Sequence, residues 1–268
     1  MKGPQLLEEH VGKLVTRAGA FFPGDRAVFR GQDLHASLKD LDLLGIYLFG
    51  ITGRRFTQRQ MKILHAMCTF TSYPDARLWN NRVAALAGTA RSTGTLGIAA
   101  ALAVSEAQIY GRGVDLRAIE FLTRAKKQVD AGTDLKELVL TEIKQKRGIA
   151  GYGRPIISAD ERIVPMMSLV RELGFDGGPH IKLAFVVEKI LLDGRWRLHI
   201  NYAAITAALC ADFGMSPREY FFSSLPAFLA GMPPCFQDAV EKPEGQLFPL
   251  PCRMMSYEGV SQRRWKTR

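Results

Sequence analysis

The sequence predicts an all-α fold, and two observations support that prediction. First, residues 57–60 and 216–219 each place a hydroxyl side chain three positions before a glutamine or glutamate, ahead of apolar side chains at helical spacing. In such a capping box the two side chains satisfy free backbone N–H groups at the start of a helix. Second, extended segments are scarce: only residues 26–30 and 195–200 indicate short strands, and no hairpin dipeptide separates two apolar runs.

The helices are expected in close succession along the chain. The first follows the capping box at Thr57, and the helix over residues 93–109 carries small side chains at Gly94, Gly97, Ala101 and Ala103 that let another helix approach closely. A helix that starts at Ser216 and Pro217 should end before residues 231–234, which contain two prolines. That helix is expected to extend through residues 220–230, and further helices are predicted over residues 77–91, 115–129, 134–146, 179–192 and 200–213.

Composition places the chain among ordinary globular proteins. Of 268 residues, 47% are hydrophobic and 23% charged, which is enough apolar surface for a substantial core and too little charge for disorder. The longest apolar stretch, residues 96–104, is too short to cross a bilayer, and the polar start predicts no signal peptide. The cysteines are scattered without a CxxC pair, so we expect no metal site, no disulfide framework and a cytoplasmic location: Cys68, Cys210, Cys235 and Cys252.

The chain is basic, with 36 Lys and Arg against 26 Asp and Glu and a net charge of +10. Such an excess fits nucleic acid, a membrane surface or a small polyanion such as a nucleotide-bearing cofactor. The basic residues are spread along the chain and cluster only in the tail, residues 261–268. This distribution is typical of a solvated basic surface, and we expect neither a membrane nor a nucleic-acid partner.

One conspicuous loop, residues 148–158, interrupts the predicted helices. Glycines at 148, 151 and 153 let backbone donors approach a ligand closely, and Lys144, Lys146 and Arg147 precede them, placed to meet phosphates. Taken alone, a helix that ends at a glycine and continues into a turn explains the pattern equally well.

The order of motifs around this loop is more specific. A small-residue helix leads to Gln108-Ile109-Tyr110-Gly111, and the loop itself is Arg147-Gly148-Ile149-Ala150-Gly151-Tyr152-Gly153-Arg154. Asp160-Glu161-Arg162, Asn201-Tyr202-Ala203 and a capped helix follow, with Arg30-Gly31-Gln32-Asp33-Leu34 upstream. From about residue 30 to residue 259 this succession resembles the citrate synthase superfamily, and the chain length is closer to that of citryl-CoA lyase.

The resemblance implies a homodimer, packed through helices like 77–91 and 93–109, whose protomers close over an acyl-CoA thioester and a small carboxylic acid. It implies an N-terminal segment (1–29), a large helical domain (30–147 and 200–259), a small helical domain (148–199) and a basic tail (260–268). Coenzyme A is then a co-substrate, with no tightly bound cofactor and no metal. The residues expected to bind it are Arg147, Gly148, Ile149, Gly151, Tyr152 and Gly153.

The catalytic positions depart from the family pattern. Tyr110 stands where the family has a histidine that hydrogen-bonds the thioester enol, and Arg154 where a histidine polarises the ketone of the acceptor. Ala203 replaces the aspartate that removes the α-proton. Tyrosine and arginine can both donate to a developing oxyanion, whereas alanine supplies no base. The sequence therefore predicts electrophilic assistance without the usual proton abstraction, and no true citrate synthase activity.

The acceptor-binding positions are partly retained. Arg162 matches one of the family's two carboxylate-binding arginines, and Phe228 occupies the position of the other. Ser72 falls near an acceptor-binding histidine, Arg253 near an arginine that the partner chain contributes, and Asn201 completes the expected substrate-binding set. Two further carboxylates and the histidines are expected to be structural: Asp75, Asp160, His10, His35, His65, His180 and His199.

Three functions remain open at this point. An acyltransferase or lyase could form its enolate without an aspartate, for example by decarboxylating a malonyl-type thioester, or could cleave a carbon–carbon bond or hydrolyse a thioester. A non-catalytic homologue could bind acyl-CoA or a carboxylate, or regulate a partner enzyme. Nucleic-acid binding through the tail is the least supported. We favour the enzyme, because Tyr110 and Arg154 are chemically capable replacements.

Overall fold

The computed structural model describes residues 3–154, 160–247, 252–261 and 263. Helices dominate it, and the all-α prediction is confirmed. A small sheet near the N-terminus comprises β1 (Gly19–Phe22), β2 (Arg26–Phe29) and β3 (Gln32–Asp33). The helices are α1 (Pro4–His10), α2 (Leu43–Thr52), α3 (Gln58–Thr71), α4 (Trp79–Thr89), α5 (Gly94–Val104), α6 (Arg112–Asp130), α7 (Leu135–Lys146), α8 (Ile163–Glu172), α9 (Pro179–Asp193), α10 (Tyr202–Asp212), α11 (Pro217–Ser223), α12 (Leu225–Leu229) and α13 (Met232–Glu241), followed by a 3-10 turn at Cys252–Met254.

The chain forms two compact units. Unit 1 contains Met1–Tyr73 and Ser105–Ala230, and unit 2 contains Pro74–Val104 and Gly231–Arg268. The large and small domains that the family resemblance implies divide the chain at other residues, and that division stays a prediction. No helix in the described part of the chain is long and apolar enough to span a bilayer.

The core of unit 1 is built around α10. Every residue of this helix except Ala203 and Asp212 is buried, and α6, α9 and α11 pack against it. Its alanines let neighbouring helices come close, while Ile205 and Leu209 fill the space between them. Each fully buried side chain of this size stabilises the fold by about 1.5–3 kcal/mol. The sequence around Asn201 is thereby held at the buried N-terminal end of the central helix.

Unit 2 consists of α4, α5, α13 and the 3-10 turn, and glycines bring its helices together. A Cβ atom on Gly88 would lie 2.5 Å from the Phe236 carbonyl oxygen, and one on Gly97 would lie 2.5 Å from the Ala87 Cβ. The close helix approach predicted from Gly97 is therefore present between α5 and α4.

The sequence predicted helix boundaries correctly where a side chain caps the backbone. It predicted them wrongly where tertiary contacts determine the end of a helix. Both predicted capping boxes form, at Thr57–Gln60 and Ser216–Glu219. In contrast, α5 ends at Val104 and not at residue 109, and the helix predicted over 220–230 is broken at Ser224. The prolines of segment 231–234 do not only end a helix: they lie in the first turn of α13, where their missing N–H groups cost nothing.

The short strands form hairpins, although no hairpin dipeptide separates two apolar runs in the sequence. The strands pair antiparallel in the order β1-β2-β3, with Gly19 opposite Phe29 and Val28 opposite Asp33. The second turn places Arg30 at φ 50° and Gly31 at φ 79°, the left-handed pair that a tight hairpin needs. The predicted strand at 26–30 is thus confirmed, whereas segment 195–200 contributes only a single bridge to Tyr152.

Candidate active site

The glycine loop, residues 148–153, follows directly from the end of α7. Arg147 ends that helix in the left-handed conformation, with φ 59°. Gly151 and Gly153 have φ of 91° and 83°, and Cβ atoms there would lie 2.7 Å from the Ala204 Cβ and 2.8 Å from the Leu198 Cδ2. These two glycines are required by the backbone and by packing, whereas Gly148 faces open space. Residues 155–158 of the loop predicted from sequence lie outside the described residues.

Asn201 fastens this loop to α10. Its backbone N–H donates to the Gly151 carbonyl at 2.9 Å, and its Nδ2 donates to the Gly153 carbonyl at 2.8 Å. Its Oδ1 accepts from the Ala203 N–H at 3.0 Å, which caps the helix. Both ends of the Asn201 side chain, predicted to bind substrate, are thus engaged in positioning the loop.

Two side chains of the loop belong to the core. Tyr152 is 6% exposed and its hydroxyl donates to the Ala184 carbonyl at 2.8 Å, and burial raises the pKa of that hydroxyl well above its ordinary value. Ile149 is buried as well. If these residues bind coenzyme A, they therefore do so through their backbone groups and not through their side chains. The N–H groups of Gly148, Ile149 and Gly151 make no hydrogen bond within the described part of the chain.

Beyond the loop, Arg162 is held by its neighbour Asp160. The guanidinium donates through Nε at 2.9 Å and through Nη2 at 2.8 Å to the two carboxylate oxygens. Asp160 also accepts from the Tyr202 N–H at 3.0 Å, and its side chain is fully buried. Burial alone would raise the pKa of Asp160, but Arg162 and the backbone donors lower it below its ordinary value. Asp160 is therefore an ionised anchor for Arg162 and is unsuited to be a base.

Arg154 makes the corresponding contact with Glu161. Its Nη1 donates to Glu161 Oε2 at 2.6 Å and lies 3.9 Å from Asp160 Oδ1, while the Tyr73 hydroxyl donates to Glu161 Oε1 at 3.0 Å. The hydrogen bond from Arg154 is the main reason that the pKa of Glu161 is lowered. The Arg162 guanidinium is stacked 4.5 Å from the centre of the Tyr202 ring and 5.7 Å from that of Tyr73.

We call the resulting group the arginine cluster: Tyr73, Arg154, Asp160, Glu161 and Arg162. Its two guanidinium groups are balanced by two carboxylates. The Glu161 side chain is 57% exposed and that of Asp160 is 0% exposed, so an incoming anion competes mainly with Glu161. Arginine presents five N–H donors in a fixed planar fork, which suits it to bind a second carboxylate.

The remaining predicted site residues are spread more widely. Ser72 ends α3, next to Tyr73, and its hydroxyl donates to the Cys68 carbonyl at 2.6 Å. Tyr110 is 46% exposed in the segment between α5 and α6, and Phe228 is half-buried in α12. Arg253 is exposed in the 3-10 turn of unit 2. Among the described residues, no hydrogen bond or ion pair joins Ser72, Tyr110 or Phe228 to the arginine cluster.

A carboxylate that the sequence analysis missed lies in the first turn of α6. Asp115 is only 9% exposed. Burial raises the pKa of Asp115 to about 7, against the opposing charges of Arg162 and Arg112. An acid in the first turn of a helix is common because it complements the helix dipole, so no sequence pattern indicates that Asp115 is buried.

Arg112, also missed, fixes the start of α6. It is 1% exposed, donates to Glu106 Oε1 at 3.0 Å and to the Phe221 carbonyl at 2.9 Å, and lies 4.1 Å from the centre of the Phe221 ring. The segment that carries Tyr110 therefore ends on a rigid, buried anchor two residues later.

No protein-family model and no curated protein sequence matches the chain. Solved structures do match its fold. Citryl-CoA lyase from Hydrogenobacter thermophilus superposes with a TM-score of 0.82 over 94% of this chain and 97% of that chain, at 19% sequence identity. The protein has the citrate synthase fold. The resemblance inferred from the motifs is thereby confirmed at the level of the fold.

Two larger enzymes share this citrate synthase fold over part of their length. ATP citrate lyase from Methanosaeta concilii, solved with (3S)-citryl-CoA, matches 98% of this chain with a TM-score of 0.75 and 16% identity, but only 45% of that chain is covered. Citrate synthase from Thermoplasma acidophilum, solved with carboxymethyl coenzyme A and oxaloacetate, matches with a TM-score of 0.64 and 16% identity. The match covers 84% of this chain and 59% of the citrate synthase chain. The chain spans about half the length of these two.

Proposed function

We propose that the protein is an acyltransferase or lyase that makes or breaks a carbon–carbon bond between an acyl-CoA thioester and a small carboxylic or keto acid. The observation that carries this proposal is the arginine cluster, which begins at the residue after the glycine loop in a citrate synthase fold. Solved proteins of this fold are complexes with citryl-CoA, or with citrate and coenzyme A.

Coenzyme A binds, in this proposal, along the glycine loop. Backbone donors at Gly148, Ile149 and Gly151 supply hydrogen bonds, and the open space at Gly148 admits a ligand. Arg147 and Lys144 are exposed beside them and attract the phosphates. A net charge of +10 supports the capture of such a polyanion.

The acid binds to the two arginines. Arg162 is pre-organised by Asp160 and by two aromatic rings, so little side-chain entropy is lost when it meets a carboxylate. Arg154 exchanges its contact with Glu161 for the carboxylate or carbonyl of the ligand. Tyr110 supplies a neutral donor to the thioester oxygen, in the position that the resemblance assigns to it.

True citrate synthase activity is not part of the proposal, because Ala203 supplies no base where the family has its aspartate. The same substitution favours a second candidate, a non-catalytic homologue that binds acyl-CoA or a carboxylate and regulates a partner. Binding of both ligands without any turnover would identify that alternative.

Calorimetric titration of Arg154 variants tests the proposal. Arg154→Ala should weaken binding of a carboxylate, drawn from a panel that includes citrate and oxaloacetate, by roughly ten- to a hundredfold, because a charge-assisted pair is lost. Binding of coenzyme A should be unchanged, since it depends on the loop backbone. Arg154→Lys should recover part of the loss, as it keeps the charge without the fork.

Arg171→Ala is the matched control, because Arg171 is exposed in the last turn of α8, outside the arginine cluster. If Arg154→Ala instead abolished binding of coenzyme A and spared the acid, Arg154 would be a phosphate contact. If the wild-type protein bound neither ligand, the proposed function would be wrong.

A further inference from the structure

Helix α9 is connected to the glycine loop through two of its residues, Ala184 and Glu188. The Ala184 carbonyl accepts from the Tyr152 hydroxyl at 2.8 Å. One turn further along the helix, Glu188 Oε1 accepts from the Ile200 N–H at 2.9 Å. Ile200 is paired with Tyr152 in an antiparallel bridge, so the Glu188 side chain reaches the loop through a single backbone pair.

The segment that this glutamate binds, residues 199–201, makes the backbone contacts of the loop. The Asn201 N–H donates to the Gly151 carbonyl at 2.9 Å. The His199 carbonyl accepts from the Gly153 N–H at 2.6 Å. The segment belongs to the connection between α9 and α10, and a backbone pair this short is marginal unless other contacts support it.

Glu188 fixes the part of this segment that α10 does not. Asn201 caps α10 and is held by that helix, whereas residues 199 and 200 precede it. The Glu188 side chain is 19% exposed, and its Oε1 lies 3.5 Å from His199 Nδ1 as well as within hydrogen-bond distance of the Ile200 N–H. A hydrogen bond to a carboxylate is stronger than one between neutral groups, and partial burial protects it from competing water.

The loop held in this way carries the backbone donors that the proposed function assigns to coenzyme A. The N–H groups of Gly148, Ile149 and Gly151 make no hydrogen bond within the described part of the chain. Gly151 and Gly153 adopt φ values of 91° and 83°, and a glycine left without support visits many other conformations. Any fraction of the protein in which the donors do not point at the ligand weakens the observed affinity in proportion.

We propose that Glu188 is a positioning residue for coenzyme A: it holds the glycine loop in the conformation that binds the ligand, without touching the ligand. This inference rests on the proposed function, since it requires that the loop binds coenzyme A. Glu188 acts through the Ile200 N–H and does not act through its negative charge. A neutral side chain with an oxygen acceptor at the same place can therefore replace it.

Calorimetric titration with coenzyme A tests this role. Glu188→Ala should weaken binding by about tenfold or more, because the loop is then in its binding conformation for a tenth of the time or less. Glu188→Gln should bind within about threefold of the wild type, because its amide oxygen still accepts from the Ile200 N–H. Asp193→Ala removes a carboxylate from the exposed end of the same helix and should bind as the wild type does.

Two measurements separate positioning from a general loss of structure. Citrate affinity should be the same in Glu188→Ala as in the wild type, because Arg162 is held by Asp160 and not by α9. Glu188→Met fills the same space without an oxygen acceptor, so it should weaken coenzyme A binding as Glu188→Ala does, and it replaces that variant if alanine prevents folding.

His199→Ala separates positioning from direct contact with the ligand. It removes the imidazole beside Glu188 and keeps the carbonyl that accepts from the Gly153 N–H, so coenzyme A affinity should be unaltered. A loss as large as that in Glu188→Ala would show that the two residues act through the imidazole, and the inference would be wrong.

The remaining outcomes also decide. Wild-type affinity for coenzyme A in Glu188→Ala or Glu188→Met would overturn the inference, and so would an equal loss in Glu188→Gln, which would mean that the negative charge is required. These results leave the proposed function intact. If the wild-type protein bound no coenzyme A, the proposed function itself would be wrong and the role of Glu188 with it.

Discussion

At the scale of single residues, Glu161 controls how strongly Arg154 can bind a ligand. It accepts from Arg154 on one oxygen and from Tyr73 on the other, and it is the exposed carboxylate of the cluster. Because the hydrogen bond from Arg154 lowers its pKa, Glu161 is ionised at neutral pH and competes with any incoming carboxylate. The arginine cluster is thereby balanced in charge until a ligand displaces one of its own anions.

Glu161→Gln should therefore tighten binding of a carboxylate such as citrate by about three- to tenfold, because the amide competes less strongly for Arg154. Calorimetric titration measures the change. Glu172→Gln, at an exposed position at the end of α8, is the control and should leave the affinity unaltered. Weaker binding by Glu161→Gln would mean that Glu161 helps to position Arg154 and does not compete for it.

Asp115 also predicts how stability depends on pH. Its pKa is raised from 3.8 to about 7 on folding, so the ionised form is disfavoured in the folded protein. The resulting penalty is absent below pH 3.8, grows as the pH rises, and is complete above about 7. Asp115→Asn should thus be more stable than wild type at about pH 8, by about 1–4 kcal/mol, and lose this advantage near pH 4. Urea unfolding at both pH values measures it, and a variant less stable than wild type at the higher pH would contradict the burial argument.

The sequence could predict the residues of the arginine cluster that lie in recognisable motifs, but not the residues defined by tertiary contacts. Arg154 and Arg162 stand beside the glycine loop and in an Asp-Glu-Arg segment, and the structure brings them together through Asp160 and Glu161. Asp115 was missed because its burial comes from tertiary packing of α6, which contacts α9, α10 and α11. The assignments of Tyr110, Phe228 and Arg253 stay predictions.

At the scale of elements, helix starts were predicted correctly where one side chain hydrogen-bonds one backbone N–H group. Both capping boxes form as predicted. The boundary of α5 was wrong because residues 105–109 contain no helix breaker; the chain turns there because the Arg112 N–H bonds to the Ser105 carbonyl at 2.8 Å and its side chain is buried beneath α11. The end of α5 is thus determined by tertiary contacts, which local sequence patterns do not predict.

The glycine loop gives an element-scale prediction. Gly151→Ala combines a φ of 91° with a Cβ only 2.7 Å from Ala204, whose backbone cannot yield easily, and should destabilise the protein by roughly 2–4 kcal/mol. Gly148→Ala meets no atom within 4 Å, has no positive φ, and should change stability by less than about 0.5 kcal/mol. Urea unfolding of the two variants compares them. Equal effects would show that the loop is not packed against α10 as described.

At the scale of the whole molecule, α5 has an apolar outer side that is exposed in the single chain. It contains one polar residue, Thr95, and exposes Leu96 at 68% and Val104 at 41% of their surfaces, together with Ala99, Ala100 and Ala103. Contiguous apolar surface of this kind marks an interaction site in soluble proteins. The family resemblance places a dimer contact on this helix and on its neighbour α4, and we propose that a second copy of the chain covers it. A net charge of +10 on each chain opposes association, so the apolar contact has to outweigh that repulsion.

Leu96→Glu should dissociate this dimer. Two copies of a glutamate placed within an apolar, symmetric interface would be desolvated and would repel each other, at a cost of several kcal/mol, enough to shift the dissociation constant by a hundredfold or more. Light scattering coupled to gel filtration should give twice 29.8 kDa for the wild type at micromolar concentration and 29.8 kDa for Leu96→Glu. Leu43→Glu makes the same exchange at a residue of unit 1 that is 86% exposed, and should remain dimeric. If the wild-type protein were monomeric at these concentrations, the proposal that α5 forms a dimer contact would be wrong. If both variants were dimeric, the chain would associate through a different surface, and the exposed face of α5 would need another partner.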